Sequence, residues 1–414
     1  MFGVRDPFHR AQLAIAALFC FLGFQYATWA SRLPAIKTRL DLSEAELGLL
    51  LMACGAGAAV SFPLVTALMR RLGSRRLAFL SAVCLSLLLL ALAAAPNYPV
   101  ALAVIACDGV AVGCLNVAMN AQGAALEAAY QRTAMSRLHA TFSAGSLFAA
   151  LLASGVNTVT TEVAAHFGVA AVLLLLLVGL TRSGLLTHDS ETATGDSGTA
   201  TEDPSDDGKR EPGKKSRRGL TMPSRVTLWM GCAMVFGTVT EGAMNDWSAL
   251  YLKDVVDASA QLAPMGIAVV SVMMVLARLF ADGWRSRWGD GPIVKTGSAV
   301  AGVGLALALL AGGVVPTLIG FACVGLGVAA VTPCVYVAAA GQGTQALSLV
   351  AAMGTTGLLA GPAVIGFIAN AGSLVWGMGA VAVSALLVSL CATRISWPRT
   401  AEPEAEPEPE PSAT

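Results

Sequence analysis

The stretch that decides the fold class is Ala11–Ala30, AQLAIAALFCFLGFQYATWA. It is long enough to cross a bilayer, because a spanning helix needs about twenty mostly apolar residues. Further apolar runs of this kind follow, so we interpret it as a first span rather than as a signal peptide. The twelve predicted spans begin near residues 10, 45, 77, 99, 137, 163, 224, 262, 291, 316, 346 and 373.

The composition favours the same interpretation. Of the 414 residues, 56% are hydrophobic and only 13% are charged, and the mean hydropathy is +0.69. A soluble domain has roughly a quarter of its residues charged. The apolar runs are continuous and lack the period-two alternation of membrane barrel strands. The sequence therefore predicts an all-α membrane protein with twelve transmembrane helices.

The chain divides into two halves. Residues 183–222 contain no run long enough to span and are rich in Ser, Thr, Gly, Asp and Lys, which predicts a disordered cytoplasmic linker. It separates an N-terminal six-helix bundle, residues 1–182, from a C-terminal six-helix bundle, residues 223–397. Residues 398–414 are rich in Glu and Pro and are predicted to form a disordered tail.

Two short motifs recur between the halves. Arg70–Gly73, RRLG, is matched by Ser286–Gly289, SRWG, at an offset of 216 residues. Thr28–Leu33, TWASRL, is matched by Asp246–Tyr251, DWSALY, at an offset of 218 residues. These near-equal offsets predict a duplicated unit and hence two pseudo-symmetric bundles. Such repeats are typical of secondary transporters, whose binding sites lie at the repeat interface near mid-membrane.

The basic residues predict the orientation in the membrane. If both termini are cytoplasmic, 21 of the 26 Lys and Arg residues fall on the cytoplasmic side. Only Arg32, Lys37, Arg39 and Lys253 then face outward, and Arg278 lies within a helix. Because cytoplasmic loops are enriched in Lys and Arg, we expect a multi-pass protein of the plasma membrane, the inner membrane of a bacterial cell, with both termini in the cytoplasm.

At this point the sequence resembles a known family. The loop Arg70–Arg76, RRLGSRR, is similar to the loop signature Gly-x-x-x-Asp-Arg-x-Gly-Arg-Arg of the major facilitator superfamily, although Arg70 stands where that signature has Asp. Four other segments resemble the YbjJ-like branch of bacterial permeases, namely Ala27–Pro34, Leu42–Gly48, Glu241–Tyr251 and Gly354–Pro362. The resemblance implies a secondary active transporter that works as a monomer by rocking its two bundles.

Two acidic residues lie deep inside predicted spans, Asp108 in helix four and Glu241 in helix seven. An ionisable group at a helix centre in the bilayer costs at least about 2.5 kcal/mol, so it usually faces a cavity or a partner. Burial also makes a carboxyl group easier to protonate, which can couple proton binding to conformation. We expect Asp108 and Glu241 to couple transport to protons; a permanently hydrogen-bonded carboxylate at a helix contact is the alternative for each.

Several amide and hydroxyl side chains are candidates for binding a substrate: Gln25, Tyr26, Asn116, Asn120 and Asn245. Asn116 and Asn120 are one turn apart and therefore lie on the same side of helix four. Amides donate and accept hydrogen bonds, so they suit a neutral polar ligand. The alternative is that they bond neighbouring helices, as polar groups in membranes often do.

Four charged residues are gating candidates. Arg32 and Asp246 lie at similar predicted depths in related helices, and we expect them to pair across the halves as an outer gate. The alternative is an Arg that reaches the interface and an Asp that caps a local turn. Arg278 and Asp282 are four residues apart, one helical turn, and are predicted to satisfy each other in a mainly structural pair.

The sequence gives little support to an enzyme. It has no P-loop of the form GxxxxGK[ST], and its four histidines are too dispersed for a metal site. We expect no cofactor and no nucleic-acid partner, and instead a small-molecule substrate, protons and the lipid bilayer. The predicted function is proton-coupled transport of a small, polar organic solute. A drug or metabolite efflux pump is one alternative, and a non-transporting membrane sensor or assembly partner is another.

Overall fold

The computed structural model describes four stretches of the chain, residues 6–132, 134–181, 184–186 and 224–397. Within them, nothing is described of the side chains of Ser136 and Asp282. The predicted tail, 398–414, and nearly all of the predicted linker, 183–222, lie outside these stretches.

The described residues form thirteen helices. The first half contains α1 (Pro7–Ala30), α2 (Leu33–Leu40), α3 (Glu44–Ala94), α4 (Tyr98–Tyr130), α5 (Met135–Val156) and α6 (Val163–Thr181). The second half contains α7 (Arg225–Asp254), α8 (Met265–Trp288), α9 (Asp290–Ala311), α10 (Val314–Val328), α11 (Val331–Ala340), α12 (Thr344–Ala371) and α13 (Leu374–Ala392).

These thirteen helices make twelve crossings. The 51-residue α3 crosses twice, because Gly73 within it has non-helical backbone angles. The eight-residue α2 is about 12 Å long and too short to cross, whereas α10 and α11 together form one crossing, Val314–Ala340. In the described part of the chain, nine helical stretches are long and apolar enough to span a membrane. The prediction of twelve helices in two six-helix bundles is confirmed.

The turn after the second crossing of each half has the same backbone geometry. Gly73 has φ 72° and ψ 163°, and Gly289 has φ 79° and ψ 162°. Only glycine adopts such a positive φ without strain. The second repeat places Trp29 and Trp247 at equivalent positions, where both side chains are buried. The backbone thus supports the duplication that the sequence motifs predict.

Capping residues set where several helices begin. Asp6 accepts a hydrogen bond from the backbone of the first turn of α1, and Pro7 occupies the first helical position. Ser43 and Glu46 form a reciprocal capping box at the start of α3. Asn97 caps α4 in the same way as Asp6 caps α1. These caps lie at predicted loops, which explains why the first, second and fourth spans begin near their expected positions.

Twelve crossings place the start of α1 and the end of α13 on the same side of the bundle, which we call the terminus side. On the opposite, distal side an ion-pair cluster joins the halves: Lys37 Nζ lies 2.7 Å from Asp254 Oδ2 and 2.9 Å from Glu44 Oε1. Burial alone would lower the pKa of Lys37, but hydrogen bonds and charges from Asp254 and Glu44 outweigh burial and raise this pKa. Lys37 is therefore held as a cation at the seam.

Hydrogen bonds at the end of α5 reinforce this seam. Ser154 Oγ donates to the backbone oxygen of Gln261 at 2.7 Å, and Asn157 Nδ2 donates to that of Ala260 at 2.6 Å. Gln261 returns a bond of 3.1 Å to the backbone oxygen of Asn157. The distal side of the protein is therefore closed in this conformation.

A close contact between α3 and α12 completes the distal closure. A Cβ added at Gly48 would lie 2.8 Å from the backbone oxygen of Pro362 and 3.1 Å from Cα of Gly366. These neighbours are backbone atoms, which cannot move aside by rotating a side chain. The contact therefore requires glycine at position 48.

We predict that Gly48→Ala lowers the melting temperature of the purified protein, because the distal seam must separate to admit the methyl group. Gly168→Ala is the matched control, since a Cβ added there meets no atom within 4 Å; in a helix that change is worth a gain of about 0.5–1 kcal/mol. Equal melting temperatures for the two variants would show that the Gly48 contact does not hold the seam.

Candidate functional site

A buried acid–amide pair links α1 to α4. Asp108 is only 2% exposed, and Gln25 Nε2 donates a hydrogen bond of 2.7 Å to its Oδ1. The other oxygen of each group, Asp108 Oδ2 and Gln25 Oε1, is buried and has no hydrogen-bond partner among the described residues. A Cβ on the adjacent Gly109 would lie 1.9 Å from the backbone oxygen of Cys54, so α3 packs directly against α4 beside the acid. This packing shuts Asp108 away from solvent.

A second buried acid lies in the other half. Asp246 in α7 is 2% exposed, and the hydroxyl of Tyr26 in α1 donates a short hydrogen bond to its Oδ1. Asp246 lies eight residues before the end of α7, or about 12 Å inside the helix. The Tyr26 ring also packs edge-to-face on Trp29, with ring centroids 4.9 Å apart. This hydrogen bond therefore joins the first and second bundles well inside the structure.

Because Gln25 and Tyr26 are consecutive, the two acids belong to one polar chain, which runs Asp108, Gln25, Tyr26, Asp246. In the described part of the protein, neither carboxyl group forms an ion pair with a Lys, Arg or His side chain. Cys54 is close enough to interact electrostatically with both. A lone carboxylate is far more costly to bury than the neutral acid. The cluster is therefore a place where a proton can replace a missing counter-ion.

The predicted proton-coupling residue Glu241 has a different environment. Its Oε1 lies 3.2 Å from Arg278 Nη2, and the two side chains are 29% and 24% exposed. Arg278 also donates from Nη1 to Ser143 Oγ in α5 at 2.6 Å, so it contacts both halves. Asn245 Nδ2 bonds the backbone oxygen of Glu241 at 3.1 Å. The structure brings Arg278 to Glu241, while the side chain of its predicted partner, Asp282, is not described.

The two amides of α4 form a pair of their own. Asn120 Nδ2 donates to Asn116 Oδ1 at 2.9 Å and to the Asn116 backbone oxygen at 2.8 Å. Asn116 is exposed and lies eight residues, or about 12 Å along the helix, from Asp108. The structure thus places both on one side of α4, as expected, but separates them from the buried acids.

The expected outer-gate pair between Arg32 and Asp246 is not formed in this structure. Arg32 donates from Nε to His166 Nδ1 at 3.2 Å and from Nη1 to Asn157, both within the first half. Asp246 bonds Tyr26, which lies within α1, whereas Arg32 lies beyond the end of α1 at Ala30. The prediction placed Asp246 near the helix end, whereas α7 extends to Asp254.

Sequence reasoning missed some partners of these residues. Ser143, Asn157 and His166 are polar residues inside or beside apolar runs, and only tertiary contacts reveal what they bond. One signal was available: Gln25 and Tyr26 are two polar residues in succession inside an otherwise apolar span. Adjacent helical residues point about 100° apart, so such a pair can reach two different helices, as it does here.

Comparison with known proteins identifies the family of this chain. The sequence profile described as Major Facilitator Superfamily matches residues 13–344. The chain belongs to the Major Facilitator Superfamily. Its resemblance to that superfamily, stated from local motifs, is confirmed. Membership indicates a multi-pass membrane transporter rather than an enzyme.

Relatives of this superfamily member share most of its length. It is 32% identical over 399 residues to an uncharacterised MFS-type transporter of Yersinia pestis, covering 93% of this chain and 96% of that protein. It is 28% identical over 395 residues to the membrane protein MosC of Rhizobium meliloti, covering 94% and 91%. Similarity over such lengths includes both bundles.

Solved structures show the same fold. The nucleoside transporter NupG has a TM-score of 0.67 at 14% identity, with 94% of this chain and 98% of that chain covered. A bacterial homologue of the human drug peptide transporters PepT1 and PepT2 has a TM-score of 0.67 at 18% identity, with 93% and 97% covered. At these identities the likeness establishes the architecture alone.

Proposed function

We propose that this protein is a proton-coupled secondary transporter in which Asp108 and Asp246 bind and release the coupling protons. The observation that carries the proposal is the polar chain through Gln25 and Tyr26, which connects one buried acid from each bundle. Secondary transporters place their coupling sites at the interface of their repeats, near mid-membrane. The Tyr26–Asp246 bond joins the two repeats, which supports a coupling role for this polar chain.

The Tyr26–Asp246 bond supplies a link between protonation and movement. Hydrogen bonds to an ionised carboxylate are roughly twice as strong as those between neutral groups. Release of the proton from Asp246 therefore strengthens the bond across the bundles, and proton binding weakens it. Protonation then favours separation of α1 from α7, which distal opening requires.

Asp108 of α4 also contacts α1, through Gln25. When its carboxylate is ionised, Gln25 Nε2 supplies one charge-assisted donor, and Asp108 Oδ2 and Gln25 Oε1 both remain acceptors without a donor. A proton on Asp108 adds a donor to this pair. Buried polar groups that lack partners cost about 1–3 kcal/mol each, so protonation relieves the pair and changes how firmly α1 is held.

Glu241 is a further proton-coupling candidate in this proposal. Arg278 neutralises it in the distal-closed conformation and holds Ser143 of the first bundle at the same time. If the bundles move apart, Arg278 loses Ser143, whereas Glu241 lies in the same bundle as Arg278. Arg278 is then free to reorient relative to Glu241, which links the Glu241 contact to the movement of the bundles.

The substrate that this site supports best is a small polar organic solute. Asn116 and Asn120 present an amide pair with exposed surface, and the free Gln25 Oε1 offers an acceptor for a hydroxyl or N–H group. Asn245 adds a third amide near Glu241. A first screen should therefore offer small polar compounds.

We also propose that the terminus side faces the cytoplasm, because the basic loops that contain Arg70–Arg76 and Arg285–Arg287 lie there. A green fluorescent protein fused after Thr414 should therefore fluoresce, and alkaline phosphatase fused at the same point should be inactive. An active phosphatase fusion with a dark fluorescent fusion would reverse the orientation.

The coupling proposal is tested with protein in proteoliposomes that contain a pH-sensitive dye. Nucleosides, dipeptides, monosaccharides and polyols that raise the melting temperature of the purified protein are offered outside, and proton uptake is recorded. We predict that Asp108→Asn and Asp246→Asn abolish ligand-dependent proton uptake while ligands still raise the melting temperature, because Asn keeps the hydrogen-bonding shape but cannot carry the proton.

Asp257→Asn is the matched control. Asp257 is exposed and has a φ of 54°, which Asn tolerates well, so this variant should keep wild-type proton uptake. Unchanged uptake in both Asp108→Asn and Asp246→Asn would remove these acids from the mechanism. Loss of uptake in Glu241→Gln alone would assign coupling to the Glu241–Arg278 pair instead.

A further inference from the structure

A cavity of about 140 Å³ lies between the two bundles on the distal side. The first bundle lines it with residues from the α1–α2 junction, from α2 and from the segment after α5, and the second with the last two residues of α7 and the loop that follows. The polar lining residues are Ser31, Arg32, Thr38, Asn157, Thr161, Lys253 and Asp254. The cavity is separate from the acid cluster, because its lining includes none of Asp108, Gln25, Tyr26 and Asp246.

Arg32 is a buried cation without a carboxylate in contact. It is 3% exposed, and its three hydrogen bonds go to neutral acceptors: His166 Nδ1, the Asn157 side-chain oxygen and the Glu162 backbone oxygen. The Glu162 carboxylate interacts with it only at longer range. Buried charges are normally paired with an opposite charge. Within the described residues, Arg32 forms no ion pair.

Two N–H donors of Arg32 form no hydrogen bond with the described residues. Nη1 uses one N–H on Asn157 and Nη2 uses one on the Glu162 backbone, so one N–H remains on each terminal nitrogen. The terminal N–H groups of arginine pair well with carboxylate oxygens. The free donors can therefore bind a carboxylate.

Other cavity groups add to the positive character. Ser31 is 3% exposed and its hydroxyl has no partner among the described residues. Lys253 contributes a second cation, whose contact is a 3.4 Å bond to the backbone oxygen of Ala258. Asp254 also lines the cavity, and its carboxylate shares Lys37 Nζ with Glu44, at 2.7 and 2.9 Å. The lining thus contains two cations, Arg32 and Lys253, and one carboxylate, Asp254.

We propose that this cavity binds a small organic carboxylate, which bridges Arg32 of the first bundle and Lys253 of the second. The anion supplies the counter-charge that Arg32 lacks and accepts a hydrogen bond from Ser31. Because its two cations come from different bundles, the bound carboxylate holds the distal side closed. A ligand that binds only this conformation stabilises it by mass action. The site is distinct from the proposed coupling acids and does not depend on their role.

The test uses the purified full-length protein and measures its melting temperature during titration with sodium formate, acetate, butyrate and benzoate. Sodium concentration and ionic strength are kept constant with chloride. We expect a saturable rise in melting temperature for formate and acetate, and a smaller one for butyrate and benzoate, because most of the lining residues are polar or charged and the apolar ones are small, which leaves little apolar surface for their hydrocarbon parts.

Two variants separate the site from a general salt effect. Lys253→Gln removes a lining cation at the cavity without disturbing Arg32, and should weaken the apparent acetate affinity at least tenfold. Lys295→Gln makes the same change at an exposed position in α9 and should titrate like wild type. Equal acetate responses in the two variants, a rise that does not saturate, or equal responses to all four carboxylates would each overturn the proposal.

A second readout excludes an effect of folding alone. The Lys253→Gln protein without carboxylate should melt as a single transition, which shows that it is folded. If it does so and still responds to acetate with wild-type affinity, the bridging role is refuted. In a separate titration, gluconate, which is too large for the cavity, keeps the ionic strength constant. If chloride then raises the melting temperature as much as acetate does, the preference for a carboxylate is refuted.

Discussion

Two carboxyl groups without cations, buried in a helical bundle that crosses a bilayer, constrain the rest of this structure. Water does not reach them, so each needs a hydrogen-bond donor or a proton. Tyr26 gives Asp246 its donor and thereby joins the two bundles, and Gln25 gives Asp108 its donor from the same helix. Helix α1 is thus held by both acids. A change in the charge of either acid therefore alters the contact between the two bundles.

Much of the fold follows from apolar length alone, because a segment that avoids water and satisfies its own backbone must be a helix of about twenty residues. The paired turns at Gly73 and Gly289 were visible as matching motifs, since a positive φ selects glycine. The length of the apolar runs did not predict α2, a short helix on the distal side that forms where the chain turns after Ala30. Local caps and turns decide that, not hydropathy.

The sequence predicted which residues belong to the candidate site, but not which of them contact each other. A polar residue inside an apolar run is easily recognised. The sequence therefore identified five residues of the site: Gln25, Tyr26, Asp108, Glu241 and Asp246. Their partners depend on helix rotation and on the depth at which each helix ends. Asp246 was expected to meet Arg32, but the length of α7 places it deeper, opposite Tyr26. Arg278 was assigned to Asp282, one turn away, whose side chain is not described; its described contacts are Glu241 and Ser143 on neighbouring helices.

The central claim is that the Tyr26–Asp246 bond is strong when Asp246 is ionised and weak when it is neutral. The most direct test is the loss in melting temperature caused by Tyr26→Phe, measured at acid and alkaline pH in the Asp246 and the Asp246→Asn backgrounds. The account predicts the largest loss at alkaline pH with Asp246 present, and a smaller, pH-independent loss with Asn. Tyr98→Phe, which removes a hydroxyl bonded within the first bundle, should show no such dependence. Equal losses from Tyr26→Phe in both backgrounds at every pH would contradict the account.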